Sequence, residues 1–196
     1  KIKEEMQLNK ELPLVLVFGG SQGARSINNA VIGIIENELN ERYQIIWAAG
    51  KGNYDNIKED LKKINIDIDN VKNAKILPYI YNMQDVMECA DLVVSRSGAM
   101  TITEISNLGK PAIFIPFPFA AENHQEYNAR VLERVGAARI ILDKNLDYKN
   151  LDKTIKEITK DKNNLHNMGE KAKTVAMEDV EEKIYKEIKN IKFIEL

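Results

Sequence analysis

The stretch 91–129 constrains the fold more than any other part of the sequence, because it sets two strand patterns in succession, each followed by a helix pattern. The first apolar, β-branched run is Leu92–Ser95, and the helix after it is expected to stop at Gly109. The second run, Ala112–Ile115, ends in two prolines, and another helix pattern begins near Glu122. Strands joined through helices predict a parallel sheet, and such sheets bind ligands at the carboxyl ends of their strands.

The same alternation continues through the rest of the chain. Further strands are predicted at Leu14–Phe18, Gln44–Ala48, Ala74–Leu77 and Ala137–Leu142. Closing helices are predicted over Asp147–Lys160, Asn163–Val175 and Val180–Lys192. The pattern indicates the α/β class, with a Rossmann-like parallel six-stranded sheet flanked by helices. We expect the strand order 3-2-1-4-5-6, a linker or frayed helix over residues 1–12, and one domain over residues 13–196.

A glycine-rich turn, GGSQGA at residues 19–24, follows the first strand, and a helix is predicted from there to about Leu39. Glycines let a phosphate group approach the backbone at a helix start, and Ser21 adds a hydroxyl. The other interpretation of this motif is a tight turn without a ligand. Arg25 could neutralise a phosphate or lie on the helix surface, and we favour the surface.

A dinucleotide-binding fingerprint is disfavoured by both spacing and chemistry. The glycines follow the order Gly-Gly-x-x-Gly, whereas nicotinamide sites use Gly-x-Gly-x-x-Gly. Such sites also place an acid near the end of the second strand, which here continues as Trp47-Ala48-Ala49-Gly50 without a carboxylate. The sequence therefore predicts no nicotinamide cofactor.

A second glycine turn offers another anion site. The amides of Gly98, Ala99 and Met100 would point out of a helix N-terminus, where the backbone attracts negative charge. Glu104 lies about one turn further along, and a carboxylate there could accept hydrogen bonds from both hydroxyls of a ribose. The alternative interpretation is a capping box, because Thr101 and Glu104 have the Thr-x-x-Glu spacing.

The next predicted helix begins with two polar residues, His124 and Gln125. Both could face the same cleft as Glu104, because their helix also starts at the carboxyl edge of the sheet. For two polar residues considered alone, a solvated first turn is the better interpretation.

The composition describes an ordinary soluble globular protein, with 44% hydrophobic and 30% charged residues. A net charge of −2 gives no case for nucleic acid as a partner. Neither a His/Cys cluster nor an Asp-x-Asp pair occurs, so no metal site is predicted. Cys89 cannot form an internal disulfide, and no apolar run approaches the roughly 18 residues of a membrane span. Because the sequence starts at Lys1, we expect an excised domain or fragment.

Four runs together resemble the MurG family: GGSQGAR near the start, then SRSGAMTITEI, GKPAIFIPFP and AAENHQEYNA. Members of this family are bacterial enzymes that transfer N-acetylglucosamine from UDP-GlcNAc to lipid I, forming lipid II for peptidoglycan. The resemblance covers about Leu14–Ile141 well and concerns the donor-binding half of the enzyme. It implies one half of a GT-B glycosyltransferase fold. We therefore expect the acceptor-binding half, which would hold lipid I, to be absent from this sequence.

The resemblance also implies a role for each candidate residue in a metal-independent, inverting reaction. It assigns Ser21, Gly98, Ala99 and Met100 to the diphosphate, Ile80 to uracil, Glu104 to ribose, and Gln125 with His124 to the sugar. Gly20, Gln22, Arg96, Ser97 and Thr101 complete the expected substrate-binding set. Without the resemblance, the loop at Ile80 would be interpreted as packed in the core. No residue of this chain is assigned as the general base, and that role is expected in the absent half.

Three functional hypotheses follow. The first is the excised donor-binding domain of a full transferase, which would reach the cytoplasmic face of the bacterial membrane only as part of the whole enzyme. The second is a stand-alone UDP-GlcNAc-binding subunit that completes its enzyme with another chain. The third is a GT-B isomerase similar to UDP-GlcNAc 2-epimerases, which would turn over UDP-GlcNAc without a lipid acceptor.

Overall fold

The computed structural model of the protein describes residues 2–176. Its strands are β1 (Leu14–Phe18), β2 (Gln44–Ala48), β3 (Ala74–Leu77), β4 (Leu92–Ser95), β5 (Ala112–Phe114) and β6 (Ala138–Ile140). Its α-helices are α1 (Ile2–Glu5), α2 (Arg25–Glu36), α3 (Tyr54–Lys63), α4 (Met83–Cys89), α5 (Ala99–Leu108), α6 (His124–Arg134), α7 (Tyr148–Thr159) and α8 (Lys162–Lys173). The helix predicted over Val180–Lys192 lies outside the described residues. None of the helices within residues 2–176 combines the length and apolar character needed to cross a membrane.

The six strands form one sheet in the order β3-β2-β1-β4-β5-β6, which confirms the predicted topology. Every neighbouring pair is parallel. The chain leaves β1 toward one edge of the sheet and leaves β4 toward the other, so the topology switches between these two strands. Open α/β sheets form a crevice at the carboxyl ends of such strands, here between the starts of α2 and α5.

The central strands are buried on both faces, as parallel sheets require. Successive residues of β1 alternate between two hydrophobic clusters, with Val15 and Val17 in one and Leu14, Leu16 and Phe18 in the other. The buried indole of Trp47 donates to Asn28 Oδ1 at 3.1 Å, and the Asn28 amide donates to the Ala49 carbonyl at 2.9 Å. These two bonds fix α2 against the end of β2.

Element ends differ slightly from the sequence prediction. The helix expected to reach Leu39 ends at Glu36, because Glu38 adopts a positive φ of 50°. The last strand covers only Ala138–Ile140, because its single partner β5 is itself only three residues long. Gly109 ends α5 in the left-handed conformation at φ 61°, as predicted.

The N-terminal segment contacts the domain that follows it. Ile2 of α1 is 5% exposed and belongs to one of the two core clusters. The side chain of Gln44 accepts from the Asn9 N–H at 2.9 Å and donates to the Asn9 and Leu12 carbonyls at 2.6 and 3.0 Å. Residues before β1 are therefore held against the sheet, and their assignment as a linker stays a prediction.

Candidate functional site

A cleft of about 660 Å³ opens at the carboxyl edge of the sheet, where the topology switches. The turns that follow β1, β4, β5 and β6 supply its walls. A second cavity of about 530 Å³ lies at the opposite edge, beside Pro13, Asp91 and Pro111, which precede β1, β4 and β5. We place the candidate site in the first cleft, because the predicted motifs meet there.

Two glycines shape the turn after β1, and each is required for a different physical reason. Gly23 has φ 76°, and a Cβ there would lie 2.2 Å from the Ala49 carbonyl oxygen. Gly20 has φ 92°, but a Cβ built on it would meet nothing within 4 Å. Gly23 therefore packs the turn against the β2 side, whereas Gly20 adjoins open space in the cleft wall.

Two helix starts at this cleft lack their usual negative partners. The N-cap residues of α2 and α5 are Ala24 and Gly98, which have no side-chain acceptor, and neither helix carries an acid in its first turn. Among the described α-helices these two are alone in this respect. The others have a first-turn acid or an aspartate cap, as the aspartates Asp147 and Asp161 show for α7 and α8. The first-turn N–H groups and the positive dipole ends of α2 and α5 are thus available to an anion.

The start of α5 also shows that Thr101 and Glu104 do not form a capping box. Gly98 is the N-cap, so Thr101 is the third residue of the helix and cannot form the capping box. Glu104 is exposed, and within residues 2–176 no hydrogen bond or ion pair engages its carboxylate. Its charge therefore has no structural partner in this part of the chain.

Arg96 follows β4 directly, and its guanidinium makes hydrogen bonds to several groups around the cleft. Its Nη1 donates to the carbonyls of Ile115 and Pro116, each at 3.0 Å, and to Asp143 Oδ1 at 2.6 Å. Its Nη2 donates to Ser26 Oγ at 3.0 Å, and that hydroxyl donates to Asp143 Oδ1 at 2.7 Å. The guanidinium thereby ties together the turns after β1, β4, β5 and β6.

Ser97 has a similar structural task. It is fully buried, its hydroxyl donates to the Gln125 carbonyl at 2.7 Å, and its own carbonyl accepts from the Asn128 amide at 3.1 Å. These bonds hold the first turns of α6 against the start of α5. The Ser97 side chain is consequently occupied by the protein.

The loop between β5 and α6 forms one wall of the cleft. The Phe117 N–H donates to Gln125 Oε1 at 3.0 Å, and His124 Nδ1 lies 2.8 Å from the Ala121 carbonyl. Glu122 and Asn123 have positive φ values of 49° and 54°, which side-chain-bearing residues adopt rarely. Gln125 therefore fixes the loop with its oxygen, while its NH₂ group has no partner among the described residues.

In the loop after β3, the Ile80 side chain is buried, and its main-chain groups make no hydrogen bond with any described residue. Ile80 is 3% exposed and belongs to the core, as the interpretation without the resemblance predicts. Its N–H and C=O make no hydrogen bond with any described residue. Tyr79 and Tyr81 pack edge to face with ring centroids 5.0 Å apart, and Lys51 Nζ lies 4.8 Å from the Tyr79 centroid.

Residues 14–184 match the family described as the glycosyltransferase family 28 C-terminal domain. The chain belongs to this family. This match agrees with the resemblance inferred from the motifs at the two glycine turns and the loop before α6. Six parallel strands flanked by helices are accordingly one half of a GT-B glycosyltransferase fold.

Comparison with individual proteins shows which members of the family the chain resembles. The chain is 40% identical over 190 residues to a protein of Acetivibrio thermocellus named UDP-N-acetylglucosamine--N-acetylmuramyl-(pentapeptide) pyrophosphoryl-undecaprenol N-acetylglucosamine transferase. That alignment covers 96% of this chain and 50% of the relative, so the chain spans about half the length of the curated relatives it matches. The crystal structure of Acinetobacter baumannii MurG has 26% identity and a TM-score of 0.79, covering 92% of this chain and 52% of that one.

The fold is shared more widely than the family. A UDP-GlcNAc 2-epimerase from Neisseria meningitidis, solved bound to UDP-GlcNAc, matches 96% of this chain and 48% of its own, with a TM-score of 0.61. Its identity is only 13%, which shows the fold alone. For assigning the family, the relatives at 40% identity are therefore stronger evidence than this structural neighbour.

The structure distributes the predicted site residues of this family 28 domain over the cleft and its surroundings. Those that line the cleft are Gly20, Arg96, Gly98, Thr101 and Gln125. Exposed residues on the same turns or helix starts, outside the lining, are Ser21, Gln22, Ala99, Met100, Glu104 and His124. Ser97 and the Ile80 side chain are buried. Arg96 and Ser97 support the site through protein contacts, and ligand binding by every residue of the predicted set stays a prediction.

Sequence reasoning missed Ser26 and Asp143, which complete the Arg96 network. Asp143 lies 47 positions from Arg96, so no local pattern signals their contact. Arg25 is exposed on α2, as predicted, and the structure adds that it lines the cleft. Within residues 2–176 no group of three or more His, Cys, Asp or Glu side chains is arranged to hold a metal ion.

Proposed function

We propose that this chain is the donor-binding domain of an inverting glycosyltransferase that transfers N-acetylglucosamine from UDP-GlcNAc to lipid I, making lipid II for bacterial peptidoglycan. One observation carries the proposal: two helix starts with neither an aspartate cap nor a first-turn acid meet at a single cleft. Such an arrangement suits a diphosphate. The names of the family 28 relatives supply the sugar and the acceptor.

In the proposed reaction the acceptor hydroxyl attacks C1 of the sugar, and UDP leaves from the opposite face. Negative charge grows on the departing β-phosphate, and preoriented N–H groups stabilise such charge without moving. Ser21, Gly98, Ala99 and Met100 would contact the diphosphate. No residue of this chain is proposed as the general base, which we place in the acceptor half.

The remaining contacts would orient the donor. The free main-chain groups of Ile80 suit the edge of uracil, and the unpartnered carboxylate of Glu104 suits the two ribose hydroxyls. Gln125 offers its free NH₂ group to the sugar, with His124 beside it. The Ile80 main-chain groups, the Glu104 carboxylate and the Gln125 NH₂ group make no hydrogen bond with any described residue, whereas His124 contacts the Ala121 carbonyl through Nδ1.

The whole enzyme is proposed to act at the cytoplasmic face of the cell membrane. Residues 1–12 would lead from an acceptor half that binds lipid I, and residues 13–196 would form the donor domain. The match to about half of each curated relative supports a second half outside the aligned region, and the boundary at residue 12 is part of the proposal.

Calorimetric titration of the chain with UDP, UDP-GlcNAc and NADH tests the proposal. We expect UDP and UDP-GlcNAc to bind equally well in EDTA and in magnesium, since backbone amides serve the diphosphate. NADH should not bind, and the chain alone should not transfer sugar to a lipid I analogue. A tenfold gain in UDP affinity with magnesium, or transfer by the chain alone, would contradict the proposal.

A further inference from the structure

The charges lining the cleft do not balance. The described lining contains three charged side chains, Arg25, Arg96 and Asp143. Arg96 and Asp143 form an ion pair at 2.6 Å, with side chains only 14% and 22% exposed, so they neutralise each other. Arg25 is exposed and forms no hydrogen bond or ion pair with any residue of the described part. The cleft therefore carries one uncompensated positive charge, on Arg25.

The position of this charge is unfavourable for the protein itself. Arg25 is the first residue of α2, where the positive end of the helix dipole repels a cation. The first turn of α2 has no acidic residue, and the N-cap Ala24 has no side-chain acceptor. Acids are the residues that stabilise such a helix end, so an arginine here costs stability in the absence of an anion.

Other residues of the lining cannot serve as the missing anion. The only carboxylate among them, Asp143, already accepts from Arg96 and from Ser26. The remaining polar neighbour on the same helix, Asn29, is neutral and lies one turn further along. The unpaired guanidinium thus faces a cleft whose described walls supply no free negative charge.

We propose that the Arg25 side chain is the counter-charge for the diphosphate of the donor, an inference that rests on the proposed function. As the acceptor oxygen forms its bond to C1, the bond between C1 and the β-phosphate oxygen breaks and its electron pair stays on UDP. The acceptor oxygen loses its proton to a base in the acceptor half. Arg25 remains protonated throughout. A guanidinium matches two phosphate oxygens at once, which a backbone N–H cannot do.

Arg25→Gln tests this role against a matched control, Arg42→Gln. Arg42 is also exposed and unpaired within residues 2–176, but it precedes β2 at the opposite edge of the sheet. Both substitutions change the net charge equally. Titrations with UDP and with uridine at low and high salt separate a diphosphate contact from a base contact.

We expect Arg25→Gln to weaken UDP binding roughly 10- to 150-fold, the loss that corresponds to a charge-assisted hydrogen bond. Uridine affinity should not change, and the salt dependence of UDP binding should decrease. The melting temperature of the unliganded variant should rise by about 1–3 °C, because the cation at the helix start is gone. Arg25→Lys should fall between wild type and Arg25→Gln. Arg42→Gln should leave UDP affinity unchanged.

Two results would overturn the inference alone. One is wild-type UDP affinity in Arg25→Gln, and the other is an equal loss for UDP and uridine. Wild-type protein that does not bind UDP would instead overturn the proposed function, and this inference with it. The rise in melting temperature also distinguishes a ligand-binding residue from a structural one, whose removal would lower it.

Discussion

At the scale of a single residue, Glu104 gives the sharpest test of nucleoside recognition. Its carboxylate is exposed on α5 and has no described partner, and the capping-box alternative is wrong because Gly98 caps the helix. Glu104→Ala should therefore weaken UDP binding by roughly 1.5–3 kcal/mol, or about 10- to 150-fold. The melting temperature should stay within about one degree, since no cap is lost.

The control for Glu104 is chemical. Wild-type protein should prefer UDP over its 2′,3′-dideoxy analogue, and Glu104→Ala should bind both alike. A mutant that keeps the preference would show that another group holds the ribose hydroxyls.

At the scale of an element, the loop 116–123 depends on Gln125, whose oxygen accepts from the Phe117 N–H. Gln125→Glu keeps an oxygen for this bond and removes the NH₂ donor. Its added negative charge should weaken the binding of both ligands, but the loss should be larger for UDP-GlcNAc than for UDP, because only the sugar loses a hydrogen-bond donor. Gln125→Ala also releases the loop, so proteolysis within the loop should accelerate only in this variant. Equal losses for both ligands in Gln125→Glu would contradict a sugar contact.

The four turns joined by Arg96 form a second element-scale unit. Asp143→Ala removes the carboxylate that neutralises the mostly buried guanidinium, which would remain among carbonyl oxygens. We expect the free energy of unfolding in urea to fall by about 2 kcal/mol. Asp60→Ala, which breaks the exposed pair with Lys63, is the control and should change little. Similar effects of both substitutions would assign no special role to the network.

At the scale of the whole molecule, the sequence predicted the order and bounds of the strands better than the contacts that hold the candidate site together. The bounds of β1–β4 match their prediction because these mostly apolar runs end at turns. Glycine turns likewise located the helix starts. The Arg96 network was not predictable, because it joins residues from separate turns that meet only after the sheet has formed. The resemblance indicated Ile80, but only the structure shows that this residue is buried and that its main-chain groups make no hydrogen bond with any described residue.

The cleft wall formed by residues 117–123 is stabilised by different contacts from strands β1 and β4, which carry the two helix starts. Paired strands β1 and β4 set the distance between the two helix starts, and their residues are buried on both faces. In contrast, residues 117–123 are held by local contacts, among them the bond from the Phe117 N–H to Gln125 Oε1 and the contact of His124 Nδ1 with the Ala121 carbonyl, and they include two left-handed residues. We expect substitutions there to change the wall more than the backbone of the two helix starts, because β1 and β4 fix that backbone. Under the proposed function, a change of donor sugar would therefore require substitutions in one short segment, while the two helix starts could stay as they are.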